Sequence, residues 1–203
     1  MKIIEQSHQI IHSSTEMLKL IESAGRTCYK SEDKITDSSS SEFAKMILSK
    51  KHESVLEHAS VTVRFITNRG VTHELVRHRL CAYSQESTRY VKYDDVEFIK
   101  PVWWNEWNEY QRSIWTEAVQ MAQDKYKSLI ESGAEPQQAR EVLPNSLKTE
   151  IVMTANIREW RHVFKARCSS HAHPQIRSLM LACLMDFQEQ FPILFDDIDE
   201  KTE

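Results

Sequence analysis

The stretch ASVTVRFITNRG, residues 59–70, decides the fold class of this chain. Its apolar residues Val61, Val63 and Phe65 alternate with more polar ones, and its many β-branched residues favour an extended backbone. The stretch therefore begins as a predicted strand. The closing Asn-Arg-Gly is typical of a turn, and residues 71–80 then have the spacing of a helix.

Outward from this stretch, periodicity and capping residues predict a mainly helical chain. Further strands are predicted at 2–12 and 149–155, and a long amphipathic helix at 105–131 ends at Gly133. The other predicted helices span residues 15–24, 42–50, 136–142, 156–167 and 174–191. Because strands and helices do not alternate regularly, we expect an α+β fold. In it, helices pack around a small, mostly antiparallel sheet in a single domain, residues 1–203.

Glycine is scarce, since only Gly25, Gly70 and Gly133 occur where roughly 14 are expected from an average share of about 7%. Gly25 is expected to end the first helix. The wide spacing excludes a G-x-G-x-x-G fingerprint and a Walker loop, because both need clustered glycines to bring backbone N–H groups onto phosphate. Any nucleotide would have to be held by side chains.

The charge distribution points to a small anionic ligand. The net charge is −4, which argues against general nucleic-acid binding, yet residues 77–92 carry +3 and residues 156–177 carry +4.

No apolar run is long enough for a membrane span. Four cysteines without a C-x-x-C pair fit free thiols in the cytoplasm. The acidic end, residues 196–203, is expected to be solvated.

A metal site is not expected despite nine histidines. His73 and His78 lie five residues apart, which puts them on different faces of a helix, so they cannot share an ion there. His171 and His173 have no suitably spaced partner. The apolar stripe of the long helix, including Tyr110 and Met121, is expected to face the core.

The segment RHRLCAYSQESTRY, residues 77–90, is the richest in candidate functional groups. If its second half is extended, Gln85, Ser87 and Arg89 line one face and could recognise a phosphate or a pyrimidine edge. A plain alternative is that the arginines only complement the C-terminus of the preceding helix.

A second unusual segment is NIREWRHVFKAR, residues 156–167. Arg167 falls on the apolar face that Trp160 and Phe164 define, where a cation is costly unless it is paired with an anion. Arg158 and His162 form a separate polar face.

Four blocks together resemble the flavin-dependent thymidylate synthases. Arg77-His78-Arg79, then seven residues and Ser87, fit the R-H-R-x7-S signature of that family. The other blocks are HESVLEH at 52–58, AREVLP at 139–144 and NIREWRHVFKAR at 156–167, in the family's order. Ala82, the pair Ser84-Gln85, and Gln175 depart from the family's commonest residues, which puts individual contacts in doubt rather than the reaction.

The resemblance implies a reaction and an assembly. Such enzymes convert dUMP to dTMP with methylenetetrahydrofolate as the carbon donor, reduced FAD as the hydride source and NADPH as the reductant of FAD, and they release tetrahydrofolate. The family is a homotetramer whose active sites are built from more than one subunit. Neither nucleic acid nor a membrane is an expected partner.

The resemblance also assigns site residues by position. FAD is expected to contact Ser54, Arg77, His78, Arg79, Gln85, Asn156, Ile157, Arg158 and His162, and His52 is expected near the flavin ring. The positions expected to contact dUMP are Glu74, Arg77, Gln85, Glu86, Ser87, Thr88, Arg89, Arg140 and Arg167. Arg167 is expected to be catalytic, since a buried cation on the uracil O2/N3 edge would stabilise negative charge on the ring.

Ser87 is expected to donate a hydrogen bond to dUMP rather than to attack it, because no general base is expected beside it. Two alternatives stay open. One is a nucleotide-binding protein without catalysis, and the other is a related flavin- and folate-dependent methylase acting on another uracil-containing substrate.

Overall fold

The structure is a computed structural model, and it describes residues 1–199. Helices and short strands alternate irregularly along the chain. The strands are β1 Lys2–Ile4, β2 Ser7–Ser13, β3 Ser60–Asn68, β4 Ala82–Gln85, β5 Glu97–Ile99 and β6 Lys148–Asn156. The helices are α1 Met17–Tyr29, α2 Ser39–Ser49, α3 Arg69–Leu75, α4 Glu109–Glu131, α5 Pro136–Ala139, α6 Ile157–Cys168, α7 Pro174–Gln190 and α8 Pro192–Phe195.

The main sheet has four strands in the order β2-β3-β6-β4, and β1 pairs with β5 in a separate parallel ribbon. In the main sheet Thr62 and Thr154 join their hydroxyls at 2.9 Å, while the N–H of Arg69 donates to the carbonyl of Leu147 at 3.2 Å. One residue number rises as the other falls, so β3 and β6 are antiparallel. The α+β prediction is confirmed.

Strand β3 confirms the prediction made for residues 59–67, because every second side chain of it is fully buried, including Val61, Val63 and Phe65. Its last residue, Asn68, does not lie in a turn as expected. The Oδ1 of Asn68 accepts the N–H of Val71 at 2.8 Å, so Asn68 caps α3 directly.

The chain forms two compact units. The first comprises residues 1–7, 65–77 and 83–152, and the second comprises 8–64, 78–82 and the chain from 153 onward. The prediction of a single domain over residues 1–203 stays a prediction.

The first unit has an aliphatic and aromatic core around α4. Val96, Phe98 and Leu147 pack with residues of α4 and α5. The α4 helix begins four residues later than predicted, because Asn108 and Gln111 form a reciprocal capping box. It ends as expected, with Gly133 at a φ of 96° just beyond it.

Only part of the apolar stripe of α4 lies in that core. Val119 and Tyr126 are buried, but Tyr110, Ile114 and Met121 are exposed. The expectation that the whole stripe faces the core is therefore wrong. A surface helix that shows several large apolar side chains is typical of an interface.

The second unit is built around an aromatic cluster of α6, α7 and α8. Trp160 stacks on Phe164 with ring centroids 5.5 Å apart, and Phe187 lies 5.0 Å from each of these rings. The indole N–H of Trp160 donates to the carbonyl of Val61 at 3.0 Å, so this large side chain is buried without an unpaired polar atom.

The end of the described chain is anchored rather than solvated. The Arg161 guanidinium donates to both carboxylate oxygens of Asp197, at 2.6 and 2.5 Å, and to the carbonyl of Leu194. Ile198 is fully buried. The expectation of a solvated acidic end holds for the exposed Asp196 and Asp199 but is wrong for Ile198 and for the paired Asp197. Its last part, residues 200–203, lies outside the described residues.

Gly25 does not end the first helix as predicted, since α1 continues to Tyr29. A Cβ at position 25 would lie 2.5 Å from the ring of Phe43, so this glycine allows α1 and α2 to pack closely. Among residues 1–199, three residues other than glycine hold a left-handed backbone: Glu16, Lys30 and Lys51, with φ of 48°, 49° and 56°. Each of them lies next to a helix end.

Among residues 1–199, no helix combines the length and the apolar character that crossing a membrane requires. The four cysteines are not joined in disulfides. Burial raises the pKa of the Cys183 thiol well above its usual value, so this thiol is unreactive.

Candidate active site

The Arg77-His78-Arg79 segment follows α3 instead of ending it. The helix stops at Leu75, five residues before the predicted end, and the chain then leaves helical geometry. Arg77 and Arg79 are exposed, whereas His78 is only 7% exposed. The imidazole of His78 is therefore buried in the second unit, while the neighbouring Arg79 is accessible to solvent.

His78 meets Arg167, 89 positions away in the sequence. The Nε of Arg167 donates to Nε2 of His78 at 3.0 Å, and Nδ1 of His78 lies 3.8 Å from Oε1 of Glu159. The two signature blocks that contain these residues therefore come together. Glu159 was not among the predicted site residues, and no sequence pattern distinguishes it from an ordinary first-turn acid of α6.

The predicted burial of Arg167 is wrong, because this side chain is half-buried at the end of α6. The buried arginine of α6 is Arg161, which is 4% exposed and is neutralised by Asp197. The hydrogen bond from Arg161 holds the pKa of the Asp197 carboxyl below its usual value.

Helix α6 forms one wall of a cavity of about 580 Å³, which we call the α6 cavity. Asn156 caps the helix by accepting the N–H of Glu159 at 2.8 Å, which fixes where α6 begins. The lining residues are Glu53, Glu57, Leu80, Asn156, Arg158, Glu159, Arg161, His162 and Lys165. Three of the positions expected to contact FAD, namely Asn156, Arg158 and His162, therefore share one cavity.

Carboxylates neutralise part of this cavity. Arg158 donates to Glu57 at 2.6 Å and lies 3.8 Å from Glu53, and the hydrogen bond that it donates to Glu57 raises its pKa. Of the other residues expected near FAD, Ser54 is exposed between these two acids in sequence, and Ile157 is buried as the first residue of α6.

The stretch after the signature is a short strand and a turn, not one extended segment. Strand β4 ends at Gln85, and Ser87 then accepts the N–H of Arg89 on its Oγ at 3.2 Å. The expectation that Gln85, Ser87 and Arg89 line one face by alternation is therefore wrong. The amide of Gln85 donates to Thr72 at 3.0 Å and to Thr149 at 3.3 Å. These hydrogen bonds hold the end of β4 in place.

Glu86 is held by two partners in the first unit. Tyr93 donates to its Oε1 at 2.8 Å, and Lys148 to its Oε2 at 3.2 Å. Burial and the neighbouring carboxylate raise the pKa of Tyr93, which keeps the phenol protonated. Burial opposes the charge of Lys148, but the carboxylates of Glu150 and Glu86 together raise its pKa. The Glu86 carboxylate therefore has a structural role in this loop.

A second cavity, of about 320 Å³, lies in the first unit, and we call it the Arg140 cavity. Its lining residues are Arg69, Thr88, Arg140, Glu141, Leu143, Pro144, Asn145 and Leu147. Arg140 donates to the hydroxyl of Thr88 at 3.2 Å, which brings two of the positions expected to bind dUMP together. Arg89, which is also expected to bind dUMP, donates to Gln137 at 3.0 Å.

Arg69 is the candidate that sequence reasoning missed. Its Nη1 is buried without a hydrogen-bond partner among residues 1–199, although buried donors in proteins are nearly always paired. An unpaired cationic donor on a residue that lines a cavity with Arg140 points to an anion. In the sequence Arg69 stands in an Asn-Arg-Gly triplet that resembles any turn, so no signal identified it.

His78, Glu159 and His162 also form a group whose ligand atoms lie within 4.8 Å of one another. No sequence pattern predicted this set, because His162 and His78 are far apart along the chain. The guanidinium of Arg167 already contacts His78, which is unfavourable for a second cation at that ring.

Each unit therefore gathers its own subset of the predicted residues. The second unit contains His78, Arg79 and the FAD positions of α6, together with Arg167. The first contains the expected dUMP positions Glu74 and Arg77, the loop from Gln85 to Arg89, and Arg140. Their roles toward ligands stay predictions.

Comparison with known proteins gives a consistent result. Residues 9–193 match the family described as thymidylate synthase complementing protein. The flavin-dependent thymidylate synthase of Mycobacterium avium (strain 104) is 37% identical over 201 residues, covering 90% of this chain and 80% of the relative. That of Geobacter sulfurreducens is 37% identical over 182 residues, covering 86% and 78%.

A solved structure resembles the fold. It is the UMP/dUMP methylase PolB from Streptomyces cacaoi, determined with 5-Br dUMP, and it matches with a TM-score of 0.80 and 23% identity over 97% of this chain and 96% of that one. The resemblance read from Arg77-His78-Arg79 and the other three blocks is confirmed by these matches. The chain belongs to the family of the flavin-dependent thymidylate synthases.

Proposed function

We propose that this chain catalyses the reductive methylation of dUMP to dTMP. Methylenetetrahydrofolate is the carbon donor, NADPH is the reductant, and tetrahydrofolate is released. The observation that carries the proposal is the 3.0 Å contact between Arg167 and His78, because it joins the two most specific sequence blocks in one place. Family membership, which the matched relatives show, supports the same reaction.

The α6 cavity fits a flavin nucleotide. Its volume of about 580 Å³ lies in the usual range of cofactor pockets, roughly 300–1,000 Å³, and Arg158, His162 and Asn156 offer a cation, an imidazole and an amide. These residues would hold FAD, with Arg79 and His78 as further contacts. When bound and reduced, the flavin supplies the hydride that completes the methyl group.

The Arg140 cavity suits the phosphate of dUMP. Arg140 and the unpaired Nη1 of Arg69 provide positive charge, and Thr88 provides a hydroxyl. Guanidinium groups bind phosphate through charge-assisted, often bidentate hydrogen bonds. Ser87 would bind the nucleotide without attacking it, since the group that its Oγ contacts is the N–H of Arg89, a donor that cannot act as the general base an attacking serine needs.

Arg167 is the catalytic residue of this proposal. Its guanidinium would donate to the O2/N3 edge of the uracil and stabilise the negative charge that makes C5 nucleophilic toward the methylene carbon. Because its Nε is already bound to His78, the plane of the guanidinium is fixed before substrate arrives. The guanidinium therefore does not have to reorient during the reaction.

Tritium release from [5-³H]dUMP tests the reaction, because replacing the C5 hydrogen frees the label. The purified protein should be yellow and should release tritium only when folate donor, FAD and NADPH are all present. A colourless protein that does not bind added FAD, and that releases no label, would support the nucleotide-binding alternative instead.

A second substrate is worth testing because the matched PolB structure is that of a UMP/dUMP methylase. The same assay with [5-³H]UMP separates the two. Faster release from UMP than from dUMP would favour a related uracil methylase over a thymidylate synthase.

We also propose that the chain works as a homotetramer in the cytoplasm. The exposed Tyr110, Ile114 and Met121 of α4 support an interface with further copies of the chain. Light scattering after gel filtration should give four times the 23.8 kDa chain mass. The Met121→Glu variant should give smaller species, because the interface would then bury an unpaired charge.

A further inference from the structure

The ring of His78 is contacted at both nitrogens by groups of opposite charge. Arg167 approaches Nε2 at 3.0 Å, and the Glu159 carboxylate faces Nδ1 at 3.8 Å. His78 and the Glu159 side chain are 7% and 10% exposed. Water therefore screens these interactions poorly, and the charges act strongly on the ring.

The contact with Arg167 decides which ring nitrogen carries the proton. A guanidinium has only donors, so Nε2 of His78 must accept with its lone pair. A neutral His78 then carries its proton on Nδ1, the atom that faces the carboxylate of Glu159. A carboxylate at that place favours this tautomer, as acidic partners of functional histidines do elsewhere.

We propose that Glu159 is a positioning residue for Arg167 and acts through His78. The negative charge of its carboxylate, 3.8 Å from Nδ1, favours the proton on that nitrogen. Nε2 is then left as an acceptor, which orients the Nε edge of the Arg167 guanidinium. The inference rests on the proposed function, because it assigns Arg167 to the uracil. It adds a residue that does not itself touch the reacting atoms.

The simpler account is that Glu159 only stabilises the helix. It lies in the first turn of α6, where a negative charge is favourable. That account predicts a change in stability and no specific change in turnover. It also predicts no connection with His78, so the two accounts can be separated by experiment.

Kinetics at saturating FAD provide the first test. In Glu159→Ala, dTMP formation should fall about tenfold in kcat with little change in the KM for dUMP, because misplacing a transition-state group lowers turnover. Glu159→Gln keeps an oxygen acceptor and should stay within about threefold of the native rate. The matched control is Glu109→Ala, which removes an exposed first-turn acid of α4 and should leave kcat unchanged.

A double-mutant cycle tests whether the effect passes through the ring. If Glu159 acts through His78, adding Glu159→Ala to His78→Ala should cost no further activity, whereas independent roles would give additive losses. Additive losses would overturn the proposal, as would a Glu159→Ala variant with native kcat.

The tautomer can be measured without any turnover. In ¹⁵N-histidine-labelled native protein, the shifts of the His78 ring should identify Nδ1 as the protonated nitrogen, and Glu159→Ala should shift the population toward the other tautomer. A native ring protonated on Nε2 overturns the inference. If the native protein releases no tritium from [5-³H]dUMP but shows the expected tautomer, the proposed function is wrong. The inferred series of contacts from Glu159 through His78 to Arg167 is then still supported.

Discussion

The two cavities of this chain differ in how their cations are balanced. In the α6 cavity Arg158 faces Glu57 and Glu53, and Arg161 is bound to Asp197. In the Arg140 cavity Arg140 lies 3.6 Å from Glu141, the one acidic lining residue, whereas Nη1 of Arg69 has no hydrogen-bond partner among residues 1–199. Under the proposed function, the first cavity would hold the large flavin nucleotide through many polar contacts, whereas the unpaired Nη1 of Arg69 in the second would meet the compact phosphate of dUMP.

A cation that lines a cavity is not always available to bind a ligand. Arg161 lines the α6 cavity, yet its two terminal nitrogens are used to anchor the chain end near Asp197. Arg167 does not line that cavity and is only half-buried, but it contacts the signature histidine. Burial alone therefore does not indicate which arginine of α6 contacts the signature segment.

The largest effect is expected for Arg167→Ala. Tritium release from [5-³H]dUMP should fall by about 10²–10³-fold, the usual cost of removing one donor that stabilises developing negative charge. The flavin absorbance of the purified protein should stay, because Arg167 is not among the lining residues of the α6 cavity. An equal loss of flavin and activity would mean that Arg167 is structural.

Asp197→Asn should cost about 2–3 kcal/mol of the free energy of unfolding, since it leaves the buried Arg161 charge without its partner. The pKa of Asp197 is lowered in the folded chain from an ordinary value of 3.8. The stabilisation is therefore fully present well above that pH and is lost as the pH falls through the lowered pKa of the folded chain. Urea unfolding of both proteins at several pH values measures the difference.

Asp196→Asn is the matched control for that experiment, because Asp196 is an exposed neighbour. It should unfold with the native urea midpoint at every pH. If Asp197→Asn also kept the native midpoint at pH 7, the anchoring role of the pair would be wrong.

Arg69→Met should weaken dUMP binding and leave the fold at least as stable. The KM for dUMP should rise about tenfold through loss of a charged phosphate contact. Stability should stay or rise by about 1 kcal/mol, because an unpaired buried donor is removed. Kinetics and urea unfolding of the same preparation measure both. Arg64→Met, an exposed change on β3, is the control, and a Arg69→Met variant with native KM would contradict the phosphate role.

The smallest effect on stability is expected for Glu57→Gln. This carboxylate pairs with Arg158, but both side chains are about half exposed, and exposed pairs contribute little to folding. The urea midpoint should not move measurably. A loss comparable with that of Asp197→Asn would remove the distinction between the two arginines of the α6 cavity.

The sequence predicted the elements whose signals are local. Strands β3 and β6 follow from alternation, α6 begins where Asn156 can cap it, and the end of α4 is marked by Gly133. The family blocks also predicted which side chains belong to the site. The structure brings two of these, His78 and Arg167, into contact, and their roles toward ligands stay predictions.

What the sequence could not provide depends on distant partners. The sequence pattern around Gly25 predicts a helix end, whereas the structure shows that this glycine makes room for the ring of Phe43. Arg161 is buried only because Asp197, 36 residues later, returns to neutralise it. Arg69 becomes a candidate only when its unpaired nitrogen and the cavity around Arg140 are known.

The left-handed residues beside the helix ends have a practical consequence. Glu16, Lys30 and Lys51 each hold a backbone conformation that costs a side-chain-bearing residue roughly 1–2 kcal/mol and costs glycine almost nothing. None of the three lines the α6 cavity or the Arg140 cavity. A chain with only three glycines thus keeps unused positions where glycine would be an improvement, and an engineer could raise its heat tolerance there without altering the chemistry.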